Sequence, residues 1–240
     1  MKKILLPALF LVLFTQVSAR GTGVSYTSLL SSPAAGLAAA VVPLPGAAQL
    51  ERGSGEEQER YEADYLARRD ASGMLVTDKL MYVPGPDPLL TLAQQVAIAH
   101  YTITYEMEPR ILLAGAVKLP KRAGVLYRGQ RIGGSMSVSQ QGQVITLGKI
   151  VSATTSKEVA AGFMQEISES EILVIKAKSA RDISAYSQCR VEGIDEQEHF
   201  LLPGTRYLVD RIYTDTVTIF LESTGREEKL NVRHAELTEL

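Results

Sequence analysis

Glu196 and Glu198 stand two residues apart in the stretch Glu196-Gln197-Glu198-His199-Phe200-Leu201-Leu202-Pro203-Gly204. On an extended strand, positions i and i+2 project to the same face, so this spacing brings two carboxylates into one site. Like charges side by side repel, and a plain sheet gains nothing from them. A site that must stabilise a developing positive charge, or take up a proton, does gain. Taken alone, a Glu-x-Glu more often marks a solvated edge; its weight here comes from what stands upstream. Leu126-Tyr127-Arg128-Gly129 closes a strand-like run on an arginine, and Thr154-Thr155-Ser156 closes another on three hydroxyls. An arginine after a tyrosine is commonly a surface or ion-paired residue, and a Thr/Ser run is commonly a turn or helix cap. The three features in this order make the candidate site.

The elements that must position these residues fall into helices first and strands afterwards. Ser54 suits a helix N-cap, with Glu56, Glu57 and Glu59 in the first turn, where carboxylates complement the dipole. Tyr61, Tyr65 and Leu66 recur at helical spacing, and Gly73 can end that helix. Asp87 and Pro88 read as the cap and first residue of a second helix carrying the stripe Leu92, Val96, Ala99 and Ile103, with Pro109 ending or bending it. His100, Tyr101 and Tyr105 lie near the stripe as packing residues. Past Pro120 the pattern becomes strand-like: Gly124 to Gly129, Ile145 to Thr155, Ile172 to Ile175, Asp182 to Tyr186, the Glu-x-Glu strand, Tyr207 to Tyr213, and Thr216 to Leu221. Lys157 to Gln165 is a short helix between the second and third, and Ser187 to Asp195 is a polar loop. The expected fold is α+β, with N-terminal helices packed on a mostly antiparallel sheet core.

Composition narrows the function classes. The chain has 240 residues, 45% of them hydrophobic, enough for one large domain with extensions. Lys2 and Lys3, the apolar run Ile4 to Phe14, and Val17-Ser18-Ala19 have the pattern of a secretory signal, residues 1–19. Secretion to the periplasm or the extracellular space follows, with no stable membrane insertion after cleavage. Residues 20–55 are rich in Ala, Gly, Pro and Ser and read as a flexible leader, leaving 56–240 as the functional domain. Without Lys2 and Lys3 the chain has 23 basic and 27 acidic residues, a charge near −4 that does not suit nucleic-acid binding. Cys189 is the single cysteine, so no intramolecular disulfide forms; with three scattered histidines, no spacing suggests a metal site.

The order, spacing and flanks of the three features resemble the arginine-directed mono-ADP-ribosyltransferases, in the branch of bacterial exotoxins and effectors. That family's pattern is an Arg in a Tyr-Arg-Gly strand, a Ser-Thr-Ser strand end followed by a helix ending in Phe, and a Glu-x-Glu strand followed by a Pro-Gly turn. Ala99-His100-Tyr101-Thr102 with Tyr105 and Arg110, Val159 to Phe163, and Asp182 to Ser187 extend the likeness, which covers roughly Glu56 to Leu221. The resemblance implies a mixed, mostly antiparallel two-sheet core of the ADP-ribosyltransferase type, with NAD as substrate, no metal, and a protein arginine as acceptor.

By the same resemblance, Glu198 grips the ribose 2′-hydroxyl and stabilises the oxocarbenium-like state, while Glu196 orients the acceptor guanidinium and takes up its proton. Arg128 holds an NAD phosphate or ribose, and Gly129 lets the backbone approach the nicotinamide amide. Thr154 orients Glu198 as first hydroxyl of the triplet Thr154, Thr155 and Ser156. Phe163 stacks on the nicotinamide or packs in the core. Three departures stand out. The triplet is Thr-Thr-Ser, with Ala153-Thr154-Thr155 as another register. Gln165 and Glu166 occupy the stretch where relatives carry a second arginine. The loop Ser187 to Asp195 is long and lacks an aromatic near Glu196, so the target protein does not carry over. An NAD glycohydrolase on the same site and a catalytically inactive binding module are the alternatives.

Overall fold

The computed structural model describes residues 55–104, 108–164, 169–193, 195–221 and 226–240. The signal segment, the leader through Ser54 and with it the expected N-cap, Tyr105, Gln165 and Glu166 lie outside the described residues, whereas Gly55, expected to end the leader, opens the first helix. Helix α1 (Gly55–Ala67) is followed by a 3₁₀ turn (Val76–Lys79), α2 (Leu92–Thr104) and α3 (Pro109–Ala116). Then come β1 (Lys121–Arg131), β2 (Val144–Thr146), β3 (Val151–Thr154), α4 (Lys157–Gly162) and β4 (Ser170–Asp182). After two 3₁₀ helices (Ser184–Tyr186 and Gln188–Glu192) the chain ends in β5 (Glu198–Leu201), β6 (Arg206–Leu221) and β7 (Arg226–Glu239).

Helix α2 is central. Ala93 to Tyr101 are all buried, as expected of a helix packed on every side rather than along one stripe. Leu92, assigned to that stripe from the sequence, is instead exposed. Asp87 does not cap α2: its carboxylate accepts the amides of Leu89 and Leu90 in a preceding turn. The cap is Thr91, whose hydroxyl accepts the Gln94 amide while the Gln94 side chain accepts the Thr91 amide, a reciprocal capping box. Pro109 opens α3 at its first helical position, where the missing N–H costs nothing.

Seven strands join in the order β1-β3-β5-β4-β7-β6-β2, with β1 also pairing β4. Among the described residues, only β4–β7 is parallel. β4 serves two neighbourhoods: its body pairs β1 and β7, while Arg181 and Asp182 at its end pair β5. Asp182 to Tyr186 was expected to be a strand, yet β4 stops at Asp182. There the Asp182 carboxylate accepts the Ser184 amide at 3.0 Å and turns the chain into a 3₁₀ helix. Tyr207 to Leu221 is one long strand, and its partner β7 was hidden in a charged segment whose buried positions include Val232, Ala235 and Leu237. One apolar cluster joins the helices to Ile150, Ile183 and Phe200; a second fills the sheet around Leu126, Leu173, Leu201 and Tyr207.

Candidate active site

Strand alternation decides which side chains meet. On β5, Phe200 packs in the helical cluster and Leu201 in the sheet cluster, so Glu198 shares the helix-facing side with Phe200. β3 runs antiparallel beside it, with Thr154 opposite Glu198 and Ser152 opposite Phe200. Val151 and Ala153 enter the sheet cluster, which leaves Ser152 and Thr154 on the side of Glu198. From α2, Tyr101 meets Phe200 edge-on at 4.9 Å between ring centroids, and its hydroxyl lies beside Ser152. Ser152 also lies beside the Glu198 carboxyl and favours its charged form. Arg128 of β1 donates through Nη1 to the Ser152 carbonyl at 2.6 Å and through Nη2 to Ser135 Oγ at 3.0 Å. Glu198, Ser152, Tyr101 and Arg128 therefore form one constellation at the junction of α2, β1, β3 and β5.

The two carboxyls of the Glu-x-Glu are both buried, Glu196 to 6% exposure and Glu198 to 9%. Burial, and then the neighbouring Glu196, push the Glu198 carboxyl up to about 8 against the opposing pull of Ser152 and Arg128. Glu196 is also raised by burial, opposed by a hydrogen bond from the Cys189 thiol. The strand spacing expected for this pair is corrected by the backbone. β5 begins at Glu198, Glu196 lies outside it, and Gln197 between them takes a left-handed φ of 48°. Such a conformation costs a non-glycine residue roughly 1–2 kcal/mol, so the surroundings must enforce it. They do so with the Asp195 carboxylate accepting the Gln197 amide at 3.1 Å and the Thr154 hydroxyl donating to the Glu196 carbonyl at 2.6 Å. The carboxylates share a site through a fixed turn rather than through the pleat.

No protein-family model matches the sequence, and a search of curated proteins gave no match. Solved structures do match. Exoenzyme S from Pseudomonas aeruginosa, in complex with human 14-3-3 protein beta and bound to Carba-NAD, aligns over 76% of this chain and 88% of its own, with a TM-score of 0.53 at 18% identity. This is the ADP-ribosyltransferase fold. The Vis toxin, an ADP-ribosyltransferase from Vibrio splendidus, aligns over 78% of this chain and 87% of its own at 16% identity, with a TM-score of 0.44. Vis in complex with agmatine gives 14% identity, 82% and 87% coverage, and a TM-score of 0.46. At these identities the likeness is one of fold.

Within the ADP-ribosyltransferase fold the sequence-derived residues take distinct places. Thr154 was expected to orient Glu198; its hydroxyl is instead committed to the Glu196 carbonyl and the Ser156 amide, because Thr154 closes its strand. The hydroxyl at the Glu198 carboxyl belongs to Ser152, two residues earlier on the same face. Thr155 is exposed and bonds the Gln197 side chain, and Ser156 caps α4 by accepting the Val159 amide at 3.2 Å. Gly129 was expected to admit substrate, but a Cβ there would stand 1.9 Å from the Ala160 carbonyl, so its smallness lets α4 dock on β1. Phe163 is 39% exposed at the end of α4, which rules out the core role and leaves its ring accessible. Ser152, Ser135 and the hydroxyl of Tyr101 were missed as site groups; the alternation Val151-Ser152-Ala153-Thr154 was the signal that could have found Ser152. Among the described residues, no group of three His, Cys, Asp or Glu could hold a metal, and no helix is long and apolar enough to cross a membrane.

Proposed function

We propose that this chain is a mono-ADP-ribosyltransferase that transfers ADP-ribose from NAD to an arginine of a target protein, releasing nicotinamide. The observation that carries this reading is the pair of buried, interacting carboxyls, Glu198 and Glu196, with Ser152 and the Arg128 guanidinium beside Glu198. An electropositive ribose carbon is stabilised by a fixed carboxylate far more than the neutral ground state is, and more strongly in a dry site than in water. Glu198 supplies that carboxylate. Its high proton affinity in the free chain falls when the cationic nicotinamide ring of NAD lies beside it. As the glycosidic bond breaks, nicotinamide leaves with the bonding electron pair. Glu196 accepts hydrogen bonds from the incoming guanidinium, and the proton released as the new C–N bond forms passes to its carboxylate. Arg128 offers its guanidinium to a phosphate or ribose oxygen, and Phe163 offers an accessible ring to the nicotinamide.

We further propose that residues 1–19 direct secretion and that the mature chain begins at Arg20, to be checked by N-terminal sequencing of the exported product. The test of the activity uses that chain with NAD labelled in its adenosine half and agmatine as a soluble guanidinium. Label on agmatine with equimolar nicotinamide is the expected result. Nicotinamide release without transfer would make the protein an NAD glycohydrolase, and absence of both NAD turnover and NAD binding would leave a binding module.

A further inference from the structure

Glu196 lies after a loop, Ser184 to Gly193, that is stitched to the helical half of the domain, most extensively at Gln188. Gln188 has 0% exposure, and its side chain and backbone amide bond residues of other segments. Its side-chain amide reads both backbone groups of Tyr82: Oε1 accepts the Tyr82 amide at 3.1 Å and Nε2 donates to the Tyr82 carbonyl at 3.2 Å. Its own backbone amide donates at 3.2 Å to the hydroxyl of Thr102, which is itself anchored on α2 by donating to the Ala99 carbonyl. Two tyrosines reinforce the seam, Tyr82 donating to the Ala185 carbonyl at 2.9 Å and Tyr186 donating to the Asp87 carboxylate at 2.6 Å. The residue after Gln188 is Cys189, whose thiol meets the Glu196 carboxyl. The same loop reaches Glu198 at its first residue alone, where the Ser184 hydroxyl donates to the Glu198 carbonyl at 3.4 Å; the strand carrying Glu198 is held besides by its register with β3.

The geometry points to Gln188 as a positioning residue for Glu196: by clamping the loop to Tyr82 and Thr102 it fixes the acceptor side of the site and sets how ADP-ribose divides between a guanidinium and water. The inference rests on the transferase reading of Glu196. A buried amide with both ends bonded has a large penalty for losing either partner, so the loop has one favoured seat. Loosening it moves Glu196 more than Glu198, which its strand register retains, and a small displacement of an orienting group is enough to depress the step it serves.

The test compares the wild-type chain with Gln188→Met, Thr102→Val and Thr102→Ser. Transfer to agmatine, nicotinamide release into water, and amide hydrogen exchange over residues 184–193 are measured for each. Gln188→Met is expected to lower transfer about tenfold with nicotinamide release within about threefold of wild type, as a lost orienting contact would. Exchange in the loop should rise about tenfold, as local opening becomes easier. Thr102→Val should move all three readouts the same way to a smaller extent, and Thr102→Ser, which keeps the hydroxyl, should restore them. Equal losses of transfer and hydrolysis, or an unchanged ratio, would overturn the inference, as would loop exchange that ignores Gln188→Met. A wild-type chain inactive on NAD sinks the transferase reading and with it the role assigned to Glu196; the exchange data then decide the clamp by themselves.

Discussion

The two carboxyls of the site are held by different kinds of structure. Glu198 sits on a strand whose neighbours are set by ladder register, and its contacts come from Ser152 on the adjacent strand and from Arg128 nearby. Glu196 follows a loop, is reached through a left-handed residue, and takes its contacts from a tied 3₁₀ segment. On the transferase reading proposed above, a sheet gives precision to a group whose target, a ribose carbon, never varies. A loop allows the neighbouring group to serve an acceptor that differs from one protein to another. The division predicts that damage to the sheet half removes all turnover, whereas damage to the loop half removes only transfer.

The largest effect belongs to Glu198→Gln, which should lower nicotinamide release and transfer together by about 10³-fold, the scale for a group that stabilises transition-state charge. Ser152→Ala comes next, reducing both activities about tenfold, since it removes the polar side chain beside that carboxyl that favours its charged form. Thr154→Val, which touches Glu196 only through its backbone, should spare hydrolysis more than transfer. Equal losses in Thr154→Val would erase the distinction between the two halves.

Protonation sharpens the same contrast. With Glu198 pushed up to about 8 in the free chain, kcat/KM for NAD should rise with pH and level off above that value. The carboxyl also acts on stability. Its folded proton affinity exceeds the unfolded one, so its favourable contribution is complete at low pH and is lost as pH rises from the ordinary carboxylate range through about 8. Glu198→Gln should accordingly raise Tm by roughly 5 °C at pH 9, with the difference shrinking toward pH 5. A smaller effect is expected at Cys189. Burial and the adjacent Glu196 hold its thiol up to about 12, so alkylation should be slow at pH 8 and quicken in Glu196→Gln.

The sequence carried much of this plan. Three motifs in the right order gave the fold class and brought Arg128, Glu196 and Glu198 together. What escaped it was register. Thr154-Thr155-Ser156 looked like the functional triplet because hydroxyls cluster there, yet a strand end spends hydroxyls on closing itself and capping the next helix. The hydroxyl that reaches Glu198 lies where alternation points inward, at Ser152. Gly129 likewise drew a substrate role because close approach suits glycine, but sequence does not say what approaches, and here it is the Ala160 carbonyl. β7 stayed hidden because a strand rich in exposed charges has too few apolar residues to show its period. The clamp at Gln188 depends on residues more than a hundred positions apart, beyond any local pattern.

The most direct measurement is Glu196→Gln with labelled NAD and agmatine, followed through both products. The account predicts transfer reduced at least about 100-fold with nicotinamide release into water within about threefold of wild type, since Glu198 keeps its strand register, Ser152 and Arg128. Parallel loss of both products would contradict it, by showing that the loop carboxyl and the strand carboxyl act as one unit.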